Sequence, residues 1–125
     1  MNTILLVEDS VTDTEAIYQH LRYVDVAVVN VKSVEEAQTK LQIQQPDLVV
    51  LDVILPGQSG FELCRKLKND PKTKQIPIVM CSTKGTEADK LWGSMLGADA
   101  YLTKPIDGQE LAQTIQKLLR SETQR

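Results

Sequence analysis

Histidine occurs once and cysteine twice among the 125 residues, and Cys64 and Cys81 lack CxxC spacing. His20 alone leaves nothing for a zinc site, and both thiols read as buried and reduced. Aromatic residues make up only 4%, with one Trp and one Phe, so little is available to stack a flavin ring. No apolar run approaches the roughly 20 residues that span a bilayer. Met1-Asn2-Thr3 carries no basic leader or cleavage site, and a cytoplasmic protein without membrane contact is expected. A basic excess is also missing: 14 Lys and Arg face 17 Asp and Glu, giving a net charge of -3. No helix-like stretch carries a basic stripe, so nucleic acid is not expected as a partner. Linkers, low-complexity tracts and repeats are absent, and the length suits one domain over residues 1–125.

What is present is an alternation. Apolar runs near 3–8, 26–31, 47–52, 76–82 and 99–103 are each followed by an amphipathic stretch. Hydrophobicity that is continuous within each run marks strands covered on both faces, and five such βα units predict an α/β fold around a parallel sheet. Thr12-x-x-Glu15, Ser33-x-x-Glu36 and Ser59-x-x-Glu62 match the capping box that opens a helix, and Asp107 with Glu110 repeats it loosely. Core-facing stripes read Ile17, Leu21 and Val24; Val34, Ala37 and Leu41; Leu63, Cys64 and Leu67; Leu91 and Met95; and Leu111, Ile115 and Leu118. Gly97 closes the fourth helix. The core is expected over 3–119, with a frayed tail at 120–125.

Acidic side chains stand at the carboxyl ends of two of these runs: Glu8 and Asp9 after the first, Asp52 after the third. In an open parallel sheet that edge is where ligands bind. If right-handed crossovers put the first and third strands side by side, the three acids meet. Carboxylates about 4 Å apart repel by roughly 4 kcal/mol per pair at an effective dielectric near 20, so the cluster calls for a cation, a proton or a base. Mg2+ suits an all-oxygen site of one or two carboxylates that also accepts phosphate. A carboxylate beside it can attack phosphorus and become an acyl phosphate, and Asp52, alone on its strand, is the candidate nucleophile. Ser82 and Lys104 close the fourth and fifth runs, adding a hydroxyl and an ammonium at the same edge.

Taken together, Val7-Glu8-Asp9-Ser10, Leu51-Asp52-Val53-Ile54-Leu55-Pro56 with Gly60 beyond, Ser82, and Lys104-Pro105 resemble the receiver domain of two-component response regulators, the CheY-like family, over the whole chain. The resemblance implies a flavodoxin-like (βα)5 sandwich with strand order 2-1-3-4-5. It implies a Mg2+ site of Glu8, Asp9, Asp52 and the Ile54 carbonyl, with Asp52 as phosphoacceptor for a histidine kinase. Ser82 becomes the switch hydroxyl and Lys104 the cation that pairs with the phosphoryl group, with a cis bond before Pro105. Tyr101 takes the switch aromatic position and would reshape the face formed by the fourth helix, fifth strand and fifth helix, through which a separate protein partner is engaged. A half-buried tyrosine with no switching role is the alternative. The segment from Ser82 to Pro105 is similar to stand-alone receivers of the type IV pilus, or twitching motility, branch. Trp92 belongs either to that partner surface or to partial core packing. Thr83 is bulkier than the alanine common in the family and would crowd phosphoryl access. Ile54, with no polar group to position water, and Lys84, able to cover the phosphoryl group, imply slow self-dephosphorylation.

Three other roles compete. The chain could drain phosphate from a shared kinase rather than signal. A flavodoxin-like electron carrier shares the architecture, but its phosphate cradle would fall on Glu8-Asp9-Ser10, which repels phosphate. A phosphatase of the haloacid dehalogenase type needs an Asp-x-Asp pair, and position 54 is Ile54. A phosphoacceptor rather than a turnover enzyme is therefore expected.

Overall fold

A computed structural model describes residues 1–123. Five strands and five helices alternate: β1 Asn2–Val7, α1 Val11–His20, β2 Val26–Val31, α2 Val34–Ile43, β3 Leu48–Leu51, α3 Gly60–Lys68, β4 Ile78–Ser82, α4 Glu87–Met95, β5 Ala100–Thr103 and α5 Gly108–Thr123. The strands form one sheet in the order β2-β1-β3-β4-β5, and every pairing is parallel. This is the order that the resemblance implied. Among the described residues no helix is long and apolar enough to cross a membrane.

Period-two alternation along β1 splits the core in two. Leu5 and Val7 point to one face with Ala37 of α2 and Leu63, Cys64 and Leu67 of α3. Ile4 and Leu6 point to the other, against Ile17 of α1 and Leu111, Ile115 and Leu119 of α5. All four residues of β3 are buried, which is why it reads as an unbroken apolar run. Both thiols are buried too, and burial pushes Cys64 up to about 11 and Cys81 up to about 12.

The expected cap residues are found at α2, α3 and α5, although at α2 Glu36 accepts from the Lys32 N–H at 3.0 Å rather than from that of Ser33, and the cap differs at α1. The Ser33 hydroxyl accepts from the Glu36 N–H at 3.1 Å, and Asp107 accepts from the Gln109 and Glu110 N–H groups. At α1 the cap is Ser10, not Thr12; it accepts from the Asp13 N–H at 3.2 Å. Ser10-x-x-Asp13 carries Asp where the capping-box pattern asks for Glu or Gln, so Thr12-x-x-Glu15 stood out in the sequence instead. At α3 Ser59 caps as expected, while Glu62 turns away to pair with Arg65 at 2.9 Å. A complete capping box, Thr86 with Asp89, opens α4. It escaped the sequence reading because its acid is Asp rather than Glu or Gln.

Leu91 and Met95 do not serve the core. They are 62% and 68% exposed, and Trp92 between them is 49% exposed. Buried Gly93 and half-buried Leu96 occupy the inner side of α4 instead, so the helix sits with its apolar stripe outward. Gly97, at φ +103°, then ends the helix as expected, in a region that L side chains disfavour. Val24 lies beyond α1, half-buried, and Leu119 rather than Leu118 is the deeper residue of α5. Helix α5 continues to Thr123, past the expected core limit of 119; Gln124 and Arg125 lie outside the described residues.

Candidate functional site

The sheet ladder reaches one residue beyond the strands and fixes the site backbone. The Glu8 N–H donates to the Val31 carbonyl at 3.0 Å, the Asp52 N–H to the Val7 carbonyl at 3.0 Å, and the Lys104 N–H to the Ser82 carbonyl at 2.9 Å. Since Val7 is in register with Leu51, Glu8 and Asp52 emerge side by side. The Asn30 amide also donates to the carbonyls of Leu6, Glu8 and Val31, a buttress that nothing in the sequence announced.

Lys104 is the centre of the site. Its Nζ lies 2.6 Å from Glu8 Oε1, 2.7 Å from Asp13 Oδ2 and 2.9 Å from Asp52 Oδ2. The second oxygens of the two buried acids are held by backbone: Glu8 Oε2 accepts from the Ser10 N–H at 3.2 Å, and Asp52 Oδ1 from the Ile54 N–H at 3.1 Å. Glu8 and Asp52 are only 2% and 6% exposed. Burial raises the Glu8 carboxyl above its ordinary range, outweighing the hydrogen bonds from Lys104 and Ser10. Burial also disfavours the Lys104 ammonium, but its bonds to Asp13, Glu8 and Asp52 overcome this and raise it above the usual lysine range.

The acids around the ammonium include one that the sequence reading did not single out. Asp9 is exposed, whereas Asp13, from the first turn of α1, joins Glu8 and Asp52 around the ammonium. Among the described residues no three acidic, His or Cys side chains are gathered into a ready metal cage. The available donors are nevertheless hard oxygens, with exposed Asp9 beside Glu8 in sequence and Asp52 across the ladder, and such a set fits a small divalent cation.

Ser82 is wholly buried at the end of β4, and its Oγ accepts from the Lys84 N–H at 3.3 Å. The Tyr101 hydroxyl donates to the Lys84 carbonyl, and its ring packs on the core at half-burial. Burial pushes that phenol up to about 12. Thr83 is exposed, and the Lys84 ammonium lies 3.7 Å from Asp89. Ile54 is 53% exposed beside Asp52. The Lys104–Pro105 bond is cis. Chemically, the edge presents a carboxylate oxygen 2.9 Å from a fixed ammonium, with the Ser82 hydroxyl at the end of the neighbouring strand, an arrangement suited to receiving and holding a phosphoryl group.

Comparison with known proteins agrees with this geometry. Residues 4–116 match the family model described as response regulator receiver domain. The protein PilH of Pseudomonas aeruginosa is 35% identical over 119 residues, which are 95% of this chain and 98% of PilH. The phosphate regulon transcriptional regulatory protein PhoB of the same species is 39% identical over 118 residues, and there the chain spans only 52% of the relative's length. A putative response regulator from Chloroflexus aurantiacus superposes with a TM-score of 0.90 at 35% identity, covering 95% of this chain and 98% of the other. The Mn2+-bound form of the response regulator Rcp1 superposes at 0.80 with 30% identity, covering 94% and 91%. Sequence match, strand order and site together show that the chain belongs to the response regulator receiver domain family.

Proposed function

We propose that this chain is the phosphoacceptor of a two-component relay and that Asp52 is the acceptor. The observation that carries this reading is the shared Lys104 ammonium, which stands 2.9 Å from Asp52 Oδ2 at the open edge of the sheet. An Asp52 oxygen forms a bond to phosphorus as the P–N bond of a kinase phosphohistidine breaks. The imidazole nitrogen keeps the electron pair and takes up a proton from solvent. Lys104 then meets charge on the phosphoryl oxygens, and the Ser82 hydroxyl turns toward them. Glu8, Asp9, Asp52 and the Ile54 carbonyl would hold Mg2+, which when bound would supply charge neutralisation and orientation of the phosphoryl group.

Output follows from the link between Ser82 and Tyr101. Both contact the Lys84 backbone, so movement of Ser82 disturbs the anchor of Tyr101 and the packing of α4 above it. The exposed Leu91, Trp92 and Met95 on α4 then form part of the surface, with β5 and α5, that a separate protein partner reads. Near-complete coverage of PilH, together with the Ser82–Pro105 segment, supports a role in pilus-driven or chemotaxis-like motility. The test is to incubate wild type and Asp52→Asn with phosphoramidate, with and without Mg2+, and weigh the intact protein. A phosphoryl mass on the wild type alone, only with Mg2+, is the expected outcome. No addition to the wild type sinks the reading.

A further inference from the structure

An ammonium has three N–H donors, and Lys104 spends all of them on carboxylates. Resting upon the phosphoacceptor reading, a phosphoryl group on Asp52 brings new acceptor oxygens that compete for these donors. The three present partners are unequal. Glu8 is 2% exposed, and a carboxylate abandoned there would be a buried charge without compensation. Asp52 is the acceptor itself. Only Asp13, with a side chain 41% exposed, can be left to water at little cost. Asp13 and Lys104 also line a cleft with Ala16, His20 and Pro105, between α1 and the segment after β5, on the side where Asp13 is exposed.

We infer that Asp13 is a positioning residue that occupies one of the three Lys104 N–H donors in the resting protein and yields that donor to the phosphoryl group. A contact made in one of two states shifts the balance toward that state, so Asp13 restrains phosphorylation. It also ties the start of α1 to the loop after β5, across 91 positions of sequence. Sequence pattern gives Asp13 a sufficient role as a first-turn acid of α1, yet the Ser10 cap uses the main-chain N–H of Asp13 and leaves its carboxylate for Lys104.

The test compares wild type, Asp13→Asn, Asp13→Glu and Asp52→Asn at saturating Mg2+ with phosphoramidate, following phosphoryl mass over time. Asn keeps the cap and removes the charge. The expected result is addition about three- to tenfold faster in Asp13→Asn, the size of one ordinary net hydrogen bond, as suits a pair whose acid is partly exposed, with Asp13→Glu near the wild type. In parallel, nitrogen-resolved NMR of the lysine ammonium groups, without donor, should show the Lys104 signal shifted in Asp13→Asn. A rate that is unchanged or slower in Asp13→Asn, or an unmoved Lys104 signal, overturns the inference while the phosphoacceptor reading survives. If the wild type takes up no phosphoryl group, that reading fails first and the competition fails with it.

Discussion

Gly93 of α4 lies directly against the ring of Tyr101 of β5: a β-carbon at position 93 would stand 2.9 Å from Tyr101 Cδ2 and 3.2 Å from Met80 Sδ. The tyrosine that links the Ser82 edge to the α4 surface is therefore seated by the absence of a side chain. Gly93→Ala gains about 1 kcal/mol of helix propensity and loses about 1–3 kcal/mol to overpacking. Net stability should change by less than about 2 kcal/mol, because the half-exposed ring can swing outward. The expected readout is a moved Tyr101 resonance and altered Trp92 fluorescence; a tyrosine that keeps its position with full stability would show that the contact is slack.

Gly60 is the harsher case. A β-carbon there would lie 2.0 Å from the Asp52 carbonyl oxygen, a backbone atom that cannot yield without moving the acceptor. Gly60→Ala should lose more than about 2 kcal/mol in urea unfolding and take up phosphoryl more slowly. Wild-type stability in this variant would mean that the turn after β3 adapts.

Glu8 makes stability depend on pH with a definite sign. Its folded pKa is raised, chiefly by burial, so the native state holds this proton more tightly than the unfolded chain. Its contribution is therefore present below about 4.3 and is lost as pH rises through the raised folded value. Glu8→Gln carries no charge to bury and should be more stable than wild type near pH 7 without Mg2+, the gain vanishing near pH 4. Urea midpoints at the two pH values decide it. A variant that is less stable at neutral pH would mean that the Lys104 bond outweighs burial.

Hydrolysis of the acyl phosphate should be slow. Ile54 stands exposed beside Asp52 and offers no polar group to hold an attacking water. Ile54→Asn should shorten the phosphorylated half-life relative to wild type, read by loss of the phosphoryl mass after donor removal. A wild-type half-life of a few seconds at neutral pH would contradict this. Lys84, expected to cover the phosphoryl group, has its ammonium 3.7 Å from Asp89.

Much of the site was legible because strands in this fold deliver their next residue to one edge. Glu8, Asp52, Ser82 and Lys104 each follow or end an apolar run, and the parallel ladder gathers them. Asp13 was not legible: its partner lies 91 positions away in sequence, and no local pattern points to it. The exposure of Leu91 and Met95 was hidden for a related reason. Periodicity reveals which residues share a helix face, but α4 presents Gly93, not that face, to Tyr101.

By itself, then, the chain determined the βα alternation, the buried strands and the chemical types at their ends, since these depend on local hydrophobicity and turn-forming residues. The tertiary structure alone decided that Asp13 rather than Asp9 shares the Lys104 ammonium, and that α4 leaves its apolar stripe to solvent. Such choices depend on how whole elements rotate and dock, where burying one carboxylate or one ring excludes another from the same space.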